Sequence, residues 1–354
     1  MTTLEQLRCV VEARLGRKRP IYAHYGVTHR CNMRCRMCVV WKSANRDGEL
    51  SVEQAGELAR NLWSAGVRAV AIGGGEPFVR TDLPELVAAF SGAGMEVRVL
   101  TNGIGITEDR AAAVVAAGLR HVSISLDTTD PRKEQAIYDG HDVWGDILAS
   151  MRLFRALLPA RGSAPVMNVC VSRLNLDELP DLVALAEREG FLCSFVPIAL
   201  AEDEAQSDGF AGVAPDLAVR PEDHTSLAVS YDTLIRLKRE GAPIANSTRF
   251  LRNSRDHLLS GLCPWDCDAG ALYLSVSPAG GISICHRFPP IAHFDDTDLA
   301  TRLRSAAFRD ETRRRRAACP GCMRPCWAEV THAMHDLPSG VEAWRLLRRK
   351  RRPA

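Results

Sequence analysis

Within eight residues the stretch "HRCNMRCRMCVVW" places three cysteines, Cys31, Cys35 and Cys38. Thiolates this close together are metal ligands by type and spacing, but a closed structural site usually takes four. Three can hold three irons of a [4Fe–4S] cluster and leave the fourth iron open to a substrate or cosubstrate. A zinc ion completed by a distant side chain fits the same spacing. Six more cysteines, Cys263, Cys267, Cys285, Cys319, Cys322 and Cys326, fall in "LCPWDCDAGALYLSVSPAGGISICHRF" and "CPGCMRPCW". Cys9, Cys170 and Cys193 stand alone. The run "GGGEPF" (73–78) sets a carboxylate, Glu76, directly after three glycines. Glycines there let backbone approach a ligand, and the acid suits an ammonium group.

Twelve cysteines in 354 residues must be read against the compartment. The start, "MTTLEQLRCVVEARLGRKRP", has no signal-peptide core, and no apolar run approaches a membrane span. Cytoplasm is the expectation, where thiols stay reduced and metal binding is favoured over disulfides. A chain 46% hydrophobic and 25% charged supports a full core, and a net charge of +2 supplies no global field for nucleic acid. The basic runs from Arg313 to Arg316 and from Arg348 to Arg352 read as a solvated helix face and a frayed terminus, so neither a nucleic-acid nor a membrane partner is expected.

The elements that must carry these residues alternate. Strands are predicted at 21–27, 67–73, 96–101, 121–127, 165–172 and 192–198. Between them lie amphipathic helices such as 51–66, opened by Ser51 in "SVEQ" with Glu53 as its reciprocal capping partner, and 176–190. Alternating β and α predicts a parallel sheet with right-handed crossovers. Six units are too few for a closed eight-fold barrel, so the fold class is α/β, an open partial (β/α)6 barrel. Strand faces locate a cavity. Val122, Ile124 and Leu126 oppose His121, Ser123, Ser125 and Asp127, while Met167, Val169 and Val171 oppose Asn168, Cys170 and Ser172. A parallel strand packed on both faces is almost continuously apolar. These are not, so one face looks into a polar cavity suited to a substrate.

The spacing C-x3-C-x2-C after the first strand resembles the radical S-adenosylmethionine (SAM) superfamily. The resemblance continues in order through "GGGEPF", "TNG" (101–103), "SISLD" (123–127) and "SRLNLDELPDLV" (172–183), each at the C-terminal end of a strand, and covers residues 21 to about 200. It implies that SAM chelates the open iron, that Gly74, Gly75 and Glu76 meet the SAM amino group, and that Ser125 and Asp127 reach the ribose hydroxyls. Met37 stands where an aromatic residue is usual. "YDG" (138–140) replaces an Arg-Gly pair, leaving the SAM carboxylate to Arg173 or another cation.

The C-terminal cysteines resemble the extension called SPASM or, when shorter, twitch. Its signature is a Cys followed by Ala-Gly, a hairpin glycine, and a second Cys beyond four intervening residues, which Cys267, Gly280 and Cys285 fit. The resemblance implies one auxiliary [4Fe–4S] cluster, held by Cys267, Cys285, Cys319 and Cys322 in the pattern of an aminocyclitol dehydrogenase. Cys326 is a possible substitute and Cys263 the weakest candidate; zinc is the alternative for this cluster. The expected organisation is an N-terminal helix (1–20), the barrel (21–200), a linker or lid with a helix (201–250), a cysteine-rich twitch/SPASM-like domain (251–336) and a basic tail (337–354).

By resemblance, reduction of the first cluster by a flavodoxin or ferredoxin cleaves SAM to a 5′-deoxyadenosyl radical that abstracts hydrogen from a substrate C–H. Only about twenty residues precede the first strand, fewer than a leader-binding winged helix needs. The expected substrate is therefore a small molecule, a sugar or aminocyclitol in antibiotic or other natural-product biosynthesis, and the enzyme a dehydrogenase or epimerase. A peptide maturase is the second expectation, and an iron–sulfur regulator or electron carrier the non-enzymatic one. Cys170, on the cavity face, is the candidate hydrogen-atom donor for an epimerase. Cys193, beside Phe191 and Phe195, reads as core.

Overall fold

The computed structural model describes residues 18–43, 48–201 and 211–348. All but the last three residues of the expected N-terminal helix, much of the acidic stretch after Ala201, and the basic tail beyond Arg348 lie outside the described residues. One sheet runs through the molecule. Its strands are β1 (Tyr22–Thr28), β2 (Ala69–Gly74), β3 (Glu96–Thr101), β4 (His121–Ser125), β5 (Val166–Val171), β6 (Leu192–Pro197), β7 (Tyr273–Val276), β8 (Gly281–Ser283) and β9 (Ala292–His293). They lie in the order β6-β5-β4-β3-β2-β1-β7-β8-β9. Strands β1 to β6 pair in parallel with their sequence neighbours, so this is the expected open barrel of six units. The hairpin β7–β8 does not form a separate lobe. Strand β7 pairs in parallel with β1, and β8 and β9 continue antiparallel.

The helices are α1 (Val52–Ala65), α2 (Leu83–Gly92), α3 (Glu108–Ala116), α4 (Pro131–Ile137), α5 (Trp144–Leu157), α6 (Leu179–Glu189), α7 (His224–Arg239), α8 (Thr248–Ser260), α9 (Leu299–Arg302), α10 (Ala306–Ala317), α11 (Pro325–His335) and α12 (Leu337–Arg348). Helix α1 opens with a capping box, but its reciprocal partner is Gln54 rather than Glu53. Gln54 accepts from the Ser51 N–H at 2.9 Å, while Glu53 takes the Ser51 hydroxyl at 2.8 Å. Helix α8 crosses the expected boundary at residue 250.

The outward strand face is core: Tyr25, Ile72, Val99, Ile124 and Val169 are fully buried. The inward residues of β5, Asn168 and Cys170, are half-buried while Met167, Val169 and Val171 are sealed, as the alternation predicts. Cys193 is fully buried beside Phe195 in the same core.

Two details set the rim of the barrel. Gly74 has φ +116°, and a side-chain carbon there would fall 2.3 Å from the Thr28 carbonyl oxygen; at Gly75 it would fall 2.1 Å from that of Arg30. On the far side, the N-terminus of α8 is read by two acids. Glu329 of α11 accepts from the Ser247 N–H at 2.8 Å, and Glu342 of α12 accepts from the Thr248 N–H at 2.9 Å.

Gly75→Ala should cost about 2–3 kcal/mol, because backbone and not a flexible side chain must yield. Gly92→Ala, with nothing within 4 Å of its added carbon, should be neutral or stabilising by up to about 1 kcal/mol. Urea midpoints of the two variants, equal within error, would refute the contact argument. Burial raises the Glu329 carboxyl to about 7, above its unfolded value of about 4.3. Its stabilising contribution is therefore complete below about pH 4.3 and is lost as pH rises through about 7. Glu329→Gln keeps an acceptor for Ser247 and should shrink the loss of stability between pH 5 and pH 8 by about 1–2 kcal/mol. An unchanged pH dependence would rule this out.

Candidate functional site

The three-cysteine loop leaves the end of β1 and is held from three sides. The Gly75 N–H donates to Thr28 O at 2.7 Å and the Glu76 N–H to Arg30 O at 2.9 Å. The Arg36 N–H donates to Ile137 O at the end of α4. On the third side, the Gly212 N–H donates to Met37 O at 2.9 Å, and a side-chain carbon on Gly212 would lie 2.5 Å from Arg36 O. Asp216 pairs with Arg36 at 2.6 Å. The segment 211–217, the described end of the expected lid, is thus packed onto the cysteine loop. Met37 lies in a small apolar cluster there with Ile198, Ala214, Leu217 and Cys170.

Cys31, Cys35 and Cys38 lie within one another's electrostatic reach, half-exposed on one face. Burial raises all the thiol pKa values resolved here, Cys31 to about 11 and Cys35 further, so iron binding must displace protons. Three neighbouring thiols in one loop, with no fourth cysteine in that loop, fit the open-iron cluster expected from the spacing.

The Gly-Gly-Glu-Pro residues sit at the end of β2. Gly74 and Gly75 serve the close approach of the cysteine loop, a use that a glycine run alone did not reveal. Glu76 is 1% exposed, with one carboxylate oxygen taken by the Phe78 N–H (3.0 Å) and the Thr101 hydroxyl (2.8 Å) and the other by the Asn102 N–H (2.8 Å). Burial raises it to about 7, against the pull of these hydrogen bonds. Asn102 also donates to Asn32 at 2.8 Å, tying the third strand end to the cysteine loop.

Asp127, just past β4, is 3% exposed and accepts from the Cys170 N–H at 2.6 Å; burial raises it to about 7. Its own N–H, with that of Thr128, donates to the buried Glu134 of α4. Asn175 donates to Asp127 O (2.6 Å) and Cys170 O (2.9 Å), locking β4 to β5. Ser125 is half-exposed toward the cavity. Arg173 is turned to Glu222 (3.0 Å) and Asp223 (3.2 Å). Glu134 and Gly212 were missed in the sequence; only three-dimensional packing gives them a role.

At the other site, Cys263, Cys267, Cys319 and Cys322 line one cavity of about 820 Å³ with Lys18, Trp265, Arg313 and Arg316. Cys263, the weakest candidate from sequence, is therefore in the ring: Gly321 (φ +90°) lacks a side chain where one would strike it at 2.5 Å. Cys285 and Cys326 are not in that lining but stand within electrostatic reach of Cys322. Cys267 Sγ is 2.8 Å from the Tyr273 hydroxyl, and Arg316 donates to Cys267 O at 2.7 Å. Of the basic run, Arg313, Arg314 and Arg315 pair with Asp310 and Glu311 on α10. Among the described residues no three His, Cys, Asp or Glu side chains close on one point as a single ion needs. Four cysteines lining one cavity suit the auxiliary iron–sulfur cluster. None of the described helices is long and apolar enough to cross a membrane.

Known proteins place this geometry. The chain is 29% identical over 293 residues, 80% of its length, to the mycofactocin maturase MftC of Mycolicibacterium smegmatis, of which the match covers 69%. It is 32% identical over 161 residues to the PqqA peptide cyclase of Streptomyces rochei; that match takes in 45% of this chain and 43% of the relative. Among solved structures it shares its fold with Streptococcus suis SuiB, at TM-score 0.64 and 16% identity over 88% of this chain and 72% of SuiB. It also resembles anSMEcpe bound to AdoMet, at TM-score 0.59 and 14% identity over 82% of each chain. Enzymes of this kind use SAM and a [4Fe–4S] cluster, here with an auxiliary cluster. Residues 25–186 match the radical SAM superfamily, a span that holds the three-cysteine loop and every strand end from β1 to β5, so this part of the chain is a radical SAM domain.

Proposed function

We propose that this radical SAM enzyme modifies a peptide. The observation that carries the reading is the match to a maturase over 80% of the chain, which runs well beyond the radical SAM domain. Two others support it. A second relative is named as a peptide cyclase, and the structurally similar SuiB has been solved with a precursor peptide bound. This reading displaces the sugar or aminocyclitol expected from sequence, which rested on fold-level analogy and the short stretch before β1.

When bound, SAM and its cluster supply a 5′-deoxyadenosyl radical that removes a hydrogen atom from a substrate C–H. The chain's own residues hold and shield. Cys31, Cys35 and Cys38 ligate the cluster; Gly74, Gly75 and Glu76 fix the loop and the SAM amino group; Ser125 and Asp127 sit at the ribose. Segment 211–217 and the cluster around Met37 keep water from the cysteine loop. Cys267, Cys319 and Cys322 hold the auxiliary cluster, with Cys263 or Cys285 as fourth ligand and Cys326 behind them. Cys170 lies on the cavity face next to Asp127, where its S–H can return a hydrogen atom to a peptide radical, the resulting thiyl being restored to the thiol by one electron from the flavodoxin or ferredoxin donor and one proton. That placement favours epimerisation over a crosslink.

Reconstituted protein should carry about eight irons, and the triple variant Cys31→Ala, Cys35→Ala, Cys38→Ala should keep about half and lose all SAM cleavage. About four irons in the wild type would end the auxiliary-cluster assignment. Anaerobic turnover with a carbon-deuterated precursor peptide encoded beside the gene should move deuterium into 5′-deoxyadenosine. Transfer from an aminocyclitol but not from the peptide would restore the small-molecule reading. In the same assay Cys170→Ala should still consume SAM but end in an oxidised or aborted peptide. Wild-type product at the wild-type rate would remove Cys170 as donor.

A further inference from the structure

The inner wall of the barrel is built in rows. In-register pairing sets His24 of β1, Ala71 of β2, Arg98 of β3 and His121 of β4 side by side, and residues so paired project to the same face. His121 is already engaged: its Nδ1 accepts from the Ala164 N–H at 3.1 Å, and its Nε2 lies 3.5 Å from the Glu96 carboxylate. Arg98 is not engaged in that way. Its Nη1 donates to two neutral acceptors, Val122 O at 3.2 Å and Ser123 Oγ at 3.0 Å, and among the described residues no carboxylate pairs with it.

Among the described residues the other edge of the guanidinium, Nε and Nη2, makes no hydrogen bond, and it belongs to a side chain on the inward face of β3. It is also the edge that receives a carboxylate side-on through two parallel N–H donors. The acids at the rim above cannot serve as its partner, because Glu76 and Asp127 are turned into backbone N–H groups at their own strand ends. A second cation, Arg324 at the start of α11, reaches both His24 and Cys170 with its field. Glu96, on the same face as Arg98, is held by His121 at 3.5 Å, so a guanidinium kept there without a carboxylate of its own is costly.

We propose that Arg98 anchors a carboxylate of the substrate on the cavity floor, orienting the C–H to be attacked above it. The peptide reading bears only on where the carboxylate comes from, an Asp or Glu side chain or a C-terminus. Ser123, which faces the same space one row higher in register with Leu100, fixes the rotation of the fork through its hydroxyl.

The test needs no turnover, so its failure is separable from failure of the peptide reading. Reconstituted enzyme with SAM is modified by phenylglyoxal, and the rates at Arg98 and at the exposed Arg313 are followed by peptide mass mapping. The probes are N-acetylglutamate α-amide for a side-chain carboxylate, N-acetylalanine for a C-terminal one, and N-acetylglutamine α-amide as the neutral isostere. At least one carboxylate probe should slow Arg98 several-fold, while the neutral probe does not and Arg313 is unaffected. Equal rates with all three probes, or an Arg98 that never reacts, would overturn the proposal. A purely structural Arg98 would also make Arg98→Met melt well below the wild type, whereas removing an unpaired charge should leave the melting temperature equal or higher.

Discussion

The chemistry of this chain depends on backbone touching backbone at the rim of the barrel. A loop that carries three cysteines in eight residues has little regular structure of its own, and its N–H and C=O groups need partners. It finds them at the end of β2, at the end of α4 and in the segment after residue 210. Two of these contacts are so close that a side-chain carbon would lie 2.1 Å or 2.5 Å from a carbonyl oxygen. Only glycine permits that, so Gly75 and Gly212 set the position of the thiols without touching them. A cluster bound there inherits its geometry from the barrel rim.

Around this contact the strand ends are joined by acids rather than by more sheet. Glu76 bridges β2 to β3, Asp127 bridges β4 to β5, and Glu134 receives the N–H groups of Asp127 and Thr128. Glu178 does the same further out, accepting from Thr128 and Thr129 and pairing with Lys133. Parallel strands must leave the sheet at this end, and each departure exposes N–H groups that a buried carboxylate can satisfy. Burial at the strand ends lifts Glu76 and Asp127 well above the ordinary carboxylate range, against the pull of the N–H groups they accept from. Stability is given up at the end of the barrel where a cofactor has to sit.

How much of this was legible in the sequence follows from the kind of signal each feature leaves. The six strands and their faces were legible, because Val122, Ile124 and Leu126 alternate with polar residues and the period of a strand is short. Cys31, Cys35 and Cys38 were legible as one site because local spacing alone brings them together. The partner of Ser51 was misjudged by one position, since Glu53 and Gln54 can both accept and only helical geometry separates them. Cys263 was undervalued for a different reason. Its place in the auxiliary cavity depends on Gly321, distant in sequence, leaving room for it. Arg98 left no signal, because a cation in a strand is ordinary until the absence of an acid opposite it can be seen.

The cysteine-rich extension is part of the barrel in a physical sense. Without β7, strand β1 would end the parallel sheet with an open row of N–H and C=O groups. In register with it, Tyr22 faces Tyr273 and His24 faces Ser275. Trp327 closes the space between, stacked on Tyr273 at 4.6 Å and edge-on to Tyr22 at 6.0 Å and His24 at 6.1 Å. The Tyr273 hydroxyl meets Cys267, and Trp327 follows Cys326 directly in the chain. At its other end β1 runs out into the loop bearing Cys31. One strand therefore carries the first cysteine site at its C-terminal end and leans on the second along its edge. A displacement of the hairpin that disturbed the auxiliary thiols would shift β1, and with it the loop that holds Cys31, Cys35 and Cys38.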